Sequence, residues 1–138
     1  MNDSKAFVDT NIFVYAFSKD DSEKKEAAVN LLENYDVVIS IQVIREFCNI
    51  LIKQSNISIA ALRSIVLDIA HKTKIVNEDY ELLLYAADIK ERYSYSFYDS
   101  LIIAAALYFD CKVLISEDMQ DGQLIENTLK IINPFNID

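Results

Sequence analysis

Residues 5–17, KAFVDTNIFVYAF, set the pattern from which the fold follows. Lys5 to Val8 is a short apolar run typical of a buried strand, Asp9 closes it, and Thr10 to Phe17 is expected to begin a helix. Similar short runs alternate with longer helical segments along the chain. This alternation predicts a parallel sheet covered on both faces by helices. Ligands of such sheets bind beyond the carboxyl ends of the strands.

The rest of the chain supplies three or four more strands, so we expect a sheet of four to five. They are Val37 to Ile39, Lys74 to Val76, Val113 to Ile115 and, as a possible fifth, Leu129 to Ile132. The expected helices cover Glu23 to Asn34 with Ser22 as cap, Ile41 to Lys53, Ser58 to Ala70, a segment from the cap Asn77 to Arg92, and Ser96 to Asp110. The last helix is apolar almost all the way round and should therefore be buried.

Length and composition exclude several classes of protein. The 138 residues are expected to form one domain over 1–138. One glycine and one proline leave no room for a Gly-rich phosphate loop. The opening residues lack a secretory pattern, and the longest apolar run, Leu101 to Phe109, is too short to cross a bilayer. We therefore expect a cytoplasmic protein that does not bind a membrane.

Four acidic residues lie at the edges of apolar segments, where carboxylates are costly to bury without a partner. Asp9 ends KAFVD, and Glu46 lies inside VIREFCNIL. Asp99 opens an apolar helix, and Asp118 lies just beyond KVLIS. Brought together, the four carboxylates would repel one another, and a hard divalent cation with oxygen ligands would relieve that repulsion. The pattern favours a Mg²⁺- or Mn²⁺-dependent phosphodiesterase and, among these enzymes, a ribonuclease.

Each acid also has an ordinary structural interpretation. Asp9 is a good helix N-cap, and Asp99 stands three residues after Ser96 in a capping-box pattern. On a helical wheel Glu46 lies at the rim between core and solvent, where a surface glutamate is common. These interpretations are compatible with metal binding, because a carboxylate that caps a helix can still hold a cation.

The segment around Asp118 is a polar turn, SEDMQDG, in which two other acids compete for the same role. Turn chemistry alone explains such a sequence, and Glu117 and Asp121 are alternatives to Asp118 as metal ligands. The tyrosines of RYSYSFY, residues 92–98, either stack on nucleic acid bases or line the core. The single histidine, His71, argues against a His-paired ribonuclease or a Ser-His-Asp hydrolase.

The formal net charge of −9 is unusual for a protein that binds nucleic acid, since phosphates are normally neutralised by Lys and Arg. Two explanations stay open. A bound metal ion supplies part of the positive charge at the substrate phosphate, or the acidic surface serves a basic protein partner.

Four segments together resemble the PIN-domain family and, within it, the VapC-type toxin ribonucleases and their solitary relatives. The segments are FVDTNIFVYAF, VIREFCNIL, YSFYDSLIIAAAL and VLISEDMQDGQ, in the family's order and spacing. The resemblance implies a three-layer α/β/α sandwich with a mainly parallel sheet. It also implies hydrolysis of RNA at an acidic pocket that binds Mg²⁺ or Mn²⁺. A small antitoxin protein and a homodimer are the partners implied.

The resemblance also assigns roles to residues. The family's metal-binding and catalytic acids fall on Asp9, Glu46, Asp99 and Asp118, and the supporting residues on Thr10, Asn11 and Ser116. Two other functions stay open. One is a non-catalytic PIN-like module that binds a protein. The other is a phosphatase with Asp9 as nucleophile, an enzyme that would require a second aspartate at the position of Asn11.

Overall fold

The computed structural model describes residues 5–19 and 22–135. These residues form six helices and six strands. In chain order they are β1 (Lys5–Val8), α1 (Thr10–Ala16), α2 (Ser22–Asn34), β2 (Asp36–Ser40), α3 (Ile41–Gln54), α4 (Ile59–Lys72), β3 (Lys74–Val76), α5 (Tyr80–Tyr93), α6 (Phe97–Tyr108), β4 (Val113–Ile115), β5 (Leu124–Ile125) and β6 (Leu129–Ile132).

The strands form one sheet in the order β3-β2-β1-β4-β6-β5. Every pair is parallel except β5 with β6. The chain builds outward from β1 through β2 to β3 and then returns to lay β4 on the other side of β1. The strand order therefore reverses between β1 and β4, and the crevice beyond their carboxyl ends is the expected position of a ligand site.

The helices pack as two groups that form the outer layers of an α/β/α sandwich. Helix α1 contacts α2 and α3, α3 contacts α4, and α5 packs along α6. As expected from its sequence, α6 is buried: Ile102, Ile103 and residues 104–106 have no exposed surface. Ser96 and Ser58 cap α6 and α4 by accepting hydrogen bonds from backbone N–H groups three residues on. The three-layer fold with a mainly parallel sheet is confirmed.

The sheet has one strand more than expected. Leu124–Ile125 forms β5, which pairs antiparallel with β6 at the edge of the sheet. Two residues are too few to show the period-2 pattern of a strand, so the sequence contains no sign of it. The strand exists because residues 129–132 offer it an edge to pair with.

Some helix ends also differ from expectation. Asp79, not Asn77, caps α5, because its side chain accepts from the Leu82 N–H at 3.2 Å. Helix α6 stops at Tyr108, since Asp110 has φ 61°, which a right-handed helix cannot continue. Ser22 begins α2 instead of preceding it, and its side chain lies outside the described part of the structure.

No helix within residues 5–19 and 22–135 is both long enough and apolar enough to span a membrane.

Candidate active site

The site begins where β1 and β4 end side by side. Asp9 follows β1 directly, and its N–H donates to the carbonyl of Ile115, the last residue of β4, at 3.0 Å. Ser116 is the next residue after β4. The parallel pairing of the two strands therefore places Asp9 and Ser116, far apart in sequence, at the same point of the sheet edge.

The Asp9 carboxylate is buried, with 5 % of the residue exposed, and both its oxygens are hydrogen-bonded. Oδ1 accepts from the Thr10 N–H at 2.7 Å, and Oδ2 accepts from the Ser116 hydroxyl at 2.9 Å. The pKa of Asp9 is raised from 3.8 to about 6, mainly by burial and in part by the negative charges of Asp99 and Asp118, while these two hydrogen bonds act to lower it. The two neighbouring acids thus add to the cost of ionising it. Asp9 is also the N-cap of α1, as its sequence predicted.

Ser116 joins Asp9 to the loop that carries Asp118. Its side chain is fully buried, donates to Asp9 and accepts from the Asp118 N–H at 3.2 Å. The exposed Asp118 is held by Asn11, whose Nδ2 donates to its Oδ2 at 2.8 Å. The start of α1 therefore fixes both the buried acid and the exposed one.

Asp99 lies in the first turn of α6 and is half-buried. Its N–H donates to the Ser96 Oγ at 3.0 Å, so the expected helix cap is present. Burial is the main cause that raises the pKa of Asp99; the charges of Asp118 and Glu46 raise it too, while the Ser96 hydroxyl lowers it. Capping and membership of the acidic group therefore occur together at this residue.

Glu46 comes from the middle of α3 and is half-buried, at the rim where the helical wheel placed it. Its charge acts on Asp99 and on Tyr98, whose hydroxyl lies 3.2 Å from the Thr10 Oγ1. Burial, more than the Glu46 carboxylate, raises the pKa of Tyr98 above its ordinary range, so the hydroxyl keeps its proton. The Tyr98 hydroxyl thereby joins α6 to the start of α1.

The four acids influence one another, but they do not form a closed cage. Among the described residues, no three carboxylate, imidazole or thiol groups stand close enough to hold a metal ion as they lie. The donor chemistry nevertheless suits Mg²⁺ or Mn²⁺, since it consists of hard carboxylate oxygens. Magnesium normally takes one or two carboxylates directly and keeps several waters, so a cage of three is not required.

Glu117 and Asp121, the alternatives to Asp118 in this turn, are hydrogen-bonded to residues outside the acidic group. Glu117 accepts from the Tyr15 hydroxyl at 2.7 Å and from Lys24 Nζ at 2.6 Å. Asp121 accepts from the Asn133 N–H at 2.9 Å. Asp118 is the acid of this turn whose charge acts on Asp9. The geometry therefore favours Asp118 over its neighbours as a member of the site.

Two of the tyrosines before Asp99 hold the segment between β4 and β6 in place. Tyr93 donates to the Glu126 carboxylate at 2.8 Å, and Tyr95 donates to Gln123 while accepting from the Gln120 N–H. These hydroxyls have structural partners, which favours packing over base stacking. The third tyrosine, Tyr98, is the site residue that sequence reasoning missed. Its only signal was its position directly before Asp99.

An apolar groove of about 220 Å³ opens between α1, α2 and α4. The four acids, all of them within the described residues, lie outside its lining. Its apolar walls are Phe13, Ala16, Phe17, Val29, Leu32 and Ile69. Helix α1 begins after Asp9 and, with its C-cap Phe17, contributes three of these walls. Helix α1 therefore begins at the acidic group and lines the groove with its later residues.

A family model described as the PIN domain matches residues 6–120. A comparison with curated proteins gives no significant match. Several solved structures share the fold. A toxin–antitoxin complex from Klebsiella pneumoniae is 20 % identical, with a TM-score of 0.73 over 96 % of this chain and 99 % of that chain.

Two further structures are similar at comparable identity. Mycobacterium tuberculosis VapC20, described as a sarcin–ricin-loop-cleaving toxin, is 19 % identical, with a TM-score of 0.66 over 79 % of this chain and 86 % of that one. VapBC2 from Rickettsia felis, bound to a DNA fragment from its promoter, is 18 % identical, with a TM-score of 0.67 over 94 % and 99 %. At these identities the likeness concerns the fold.

Proposed function

The chain belongs to the PIN-domain family, and from that premise we propose that it is a ribonuclease that depends on Mg²⁺ or Mn²⁺. One observation carries the proposal. Asp9 is a buried carboxylate, and the charges of Asp99 and Asp118 that act on it are both negative. A bound cation would offset this repulsion and favour the ionised forms of Asp9 and Asp99.

The four acids have different roles in binding the cation. Asp9 and Asp99 are the principal ligands, and Asp118 and Glu46 complete the site directly or through water. We assign this role to Asp9 and Asp99 because burial raises the pKa of both carboxylates and so makes each costly to ionise. A ligand that is costly to ionise alone gains most from a neighbouring positive charge.

The supporting residues orient these ligands. The Thr10 N–H and the Ser116 hydroxyl each donate to one oxygen of Asp9, and Asn11 donates to Asp118. Such bonds fix the direction in which the remaining lone pairs point. When bound, the divalent cation polarises the phosphodiester and makes water more acidic. The expected products carry a 5′-phosphate and a 3′-hydroxyl.

The test is an RNA cleavage assay with Mn²⁺ or Mg²⁺, with and without a chelator. We expect cleavage by the wild type that the chelator stops, and at least about 100-fold less cleavage by Asp9→Asn. Glu117→Gln is the matched control, because it neutralises an acid of the neighbouring turn whose carboxylate bonds to Lys24 and Tyr15. Cleavage that persists in Asp9→Asn, or in excess chelator, would disprove the proposal.

We further propose that the chain is the toxin of a toxin–antitoxin pair. Support comes from the fold shared with toxins, and from the apolar groove beside α1, which offers a short antitoxin segment a place to bind. Basic residues of such a segment would complement the net charge of −9. Expression of the wild type alone should arrest bacterial growth, whereas expression of Asp99→Asn should not.

A homodimer is part of the same proposal. Large apolar side chains remain exposed on α4 and α5: Ile59 and Tyr80 are each 71 % exposed, and Leu84 is 63 % exposed. Exposed apolar area of this kind commonly marks a protein interface. Sedimentation equilibrium of the purified chain should give twice the monomer mass of 15.8 kDa, and a monomer at high concentration would contradict the proposal.

The two alternatives lack a specific observation in their favour. A non-catalytic binding module has no need of a buried carboxylate beside two more acids. A phosphatase with Asp9 as nucleophile would use an acid at position 11, and there Asn11 donates to Asp118 instead. Trapping with beryllium fluoride, which mimics an aspartyl phosphate, should therefore fail.

A further inference from the structure

The two ends of the sheet carry opposite charges. Asp9 and Asp118 lie beyond the carboxyl ends of β1 and β4. At the amino ends, four lysines begin, directly precede or stand second in the strands β1, β3, β4 and β6. These four, which we call the lysine row, are Lys5, Lys74, Lys112 and Lys130. The row is therefore separated from the acidic group by the length of the strands.

Three lysines of the row are neighbours across the sheet. The Lys112 N–H donates to the carbonyl of Lys5 at 3.4 Å, and the Lys130 N–H donates to the carbonyl of Lys112 at 3.0 Å. Lys74 stands two strands from Lys5, on the other side of β2. Because neighbouring strands lie about 4.8 Å apart, the row crosses the amino end of the sheet over roughly 20 Å.

The charges of the row are open to a partner. Lys74, Lys112 and Lys130 are exposed, and Lys5 is half-buried. Within residues 5–19 and 22–135 none of the four forms an ion pair. Asp36 begins β2 and Asp110 lies just before Lys112, and two acids reduce the charge of four lysines without cancelling it. In a chain of net charge −9, this local excess of positive charge favours a polyanion as partner.

A cleft of about 390 Å³ opens beside the row, between the end of α4 and the starts of β1, β2 and β3. Lys5 and Lys74 line it from the sheet, and His71 and Lys72 line it from the last turn of α4. Lys72 is exposed and pairs with Asp68 at 3.3 Å. The cleft thus presents ammonium groups from a helix and from strands, and ammonium groups donate strong hydrogen bonds to phosphate oxygens.

We propose that the lysine row and the cleft bind the phosphate backbone of an RNA, at a surface opposite the acidic site. Point charges arranged along a line fit a polymer that carries one negative charge on every unit. Acidic side chains on a protein surface have no such repeat, so RNA is favoured over an acidic protein. The inference rests on the proposed function, because the RNA bound here is a substrate long enough to reach both ends of the sheet.

The test measures binding of fluorescently labelled poly(U) to the full chain by anisotropy, in chelator so that no cleavage occurs. The double variant Lys112→Gln/Lys130→Gln should bind about tenfold more weakly at low salt. Its slope of log affinity against log salt should fall by about 1.4, since each phosphate contact on a single strand contributes about 0.7. Lys74→Gln, on the other side of β2, should lower the slope by about 0.7.

The matched control is Lys53→Gln/Arg63→Gln, which removes two exposed basic residues of α3 and α4 and changes the net charge equally. It should leave the affinity for poly(U) within about twofold of wild type, because long-range charge alone acts weakly through salt. An equal loss in the control, or no loss in the row variants, would overturn the inference. A wild type that does not bind poly(U) would overturn it as well.

Cleavage kinetics with Mn²⁺ provide a second readout. Lys112→Gln/Lys130→Gln should raise the KM for a long RNA and leave its kcat unchanged, because the row binds far from the reacting phosphate. A lower kcat at unchanged KM would contradict the inference. The proposed function fails separately: a wild type that binds poly(U) through the row yet cleaves no RNA with Mn²⁺ would disprove the nuclease and keep the binding surface.

Discussion

Ser116 donates its hydroxyl to the Oδ2 atom of Asp9 over 2.9 Å, although the two residues are 107 positions apart. The bond exists because β1 and β4 are parallel neighbours that end together. It supplies a donor to a carboxylate that burial makes costly to ionise. Ser116 is therefore a sensitive position at which to test how the site is assembled.

Ser116→Ala should weaken cation binding and lower stability together. The substitution leaves the buried Asp9 Oδ2 without its donor and the Asp118 N–H without its acceptor, at a cost of about 1–3 kcal/mol. Urea unfolding and Mn²⁺ titration measure the two effects. Ser58→Ala is the control, since Ser58 caps α4 through the Ala61 N–H and its loss should cost about 1 kcal/mol without moving the Mn²⁺ midpoint.

The stability of the metal-free protein should fall as pH rises from about 4 to 6 through the contribution of Asp9. Burial raises the pKa of Asp9 from 3.8 to about 6, so in this window the folded state keeps a proton that the unfolded state has lost. Stability then decreases with pH, by on the order of 2–3 kcal/mol for this group. Asp9→Asn caps a helix equally well and should lack this component.

The comparison is made by urea unfolding in chelator at several pH values. Other carboxylates titrate in the same range, so the readout is the difference between wild type and Asp9→Asn. A difference that stays constant across the window would contradict the assignment of this pKa to Asp9.

Asp99→Asn should abolish RNA cleavage while the metal-free protein keeps or slightly gains stability. The substitution removes a charge that repels Asp118 and Glu46, and it keeps the backbone N–H that bonds to Ser96. Loss of cleavage should be at least about 100-fold. Thermal unfolding in chelator provides the stability, and a variant that melts well below wild type would mean that capping by the Asp99 carboxylate dominates.

Mn²⁺ should stabilise the wild type and not Asp99→Asn. A ligand that binds only the folded state at about 100 times its Kd stabilises that state by about 2.7 kcal/mol. The rise should be larger at pH 7 than at pH 5, because the cation binds ionised carboxylates. Equal stabilisation of both proteins in thermal unfolding would place the cation elsewhere.

Glu117→Gln and Asp118→Asn should separate stability from activity. Glu117 holds Lys24 and Tyr15, so its neutralisation should lower the melting temperature and spare cleavage. Asp118 is held by Asn11 beside the buried acid, so its neutralisation should reduce cleavage with little effect on melting. The reverse pattern would show that Glu117, and not Asp118, belongs to the cation site.

The sequence predicted the positions that depend on strand ends. Asp9 and Asp118 follow runs that were expected to be strands, and both strands have the expected limits. It could not predict that the Tyr98 hydroxyl meets the Thr10 Oγ1, since that contact depends on the angle at which α6 meets α1. It also missed β5, because two residues carry no pattern of their own and pair only where β6 offers an edge.

The choice of helix cap shows the same limit of prediction from sequence. Both Asn77 and Asp79 are good capping residues, and local sequence does not choose between them. The choice follows from where β3 ends and where α5 can pack, which are tertiary constraints. By contrast Ser96 was predicted correctly, because it precedes the apolar helix at capping distance from Asp99.

Asp9 both begins α1 and carries the charge at the centre of the site. Asparagine would preserve the first role and lose the second, while glutamate would keep a charge on a stem one methylene too long for the same bonds. No other side chain keeps both the helix cap and the charge in part. Substitution of Asp9 in evolution should therefore either preserve the activity of the site or abolish it, with no gradual loss.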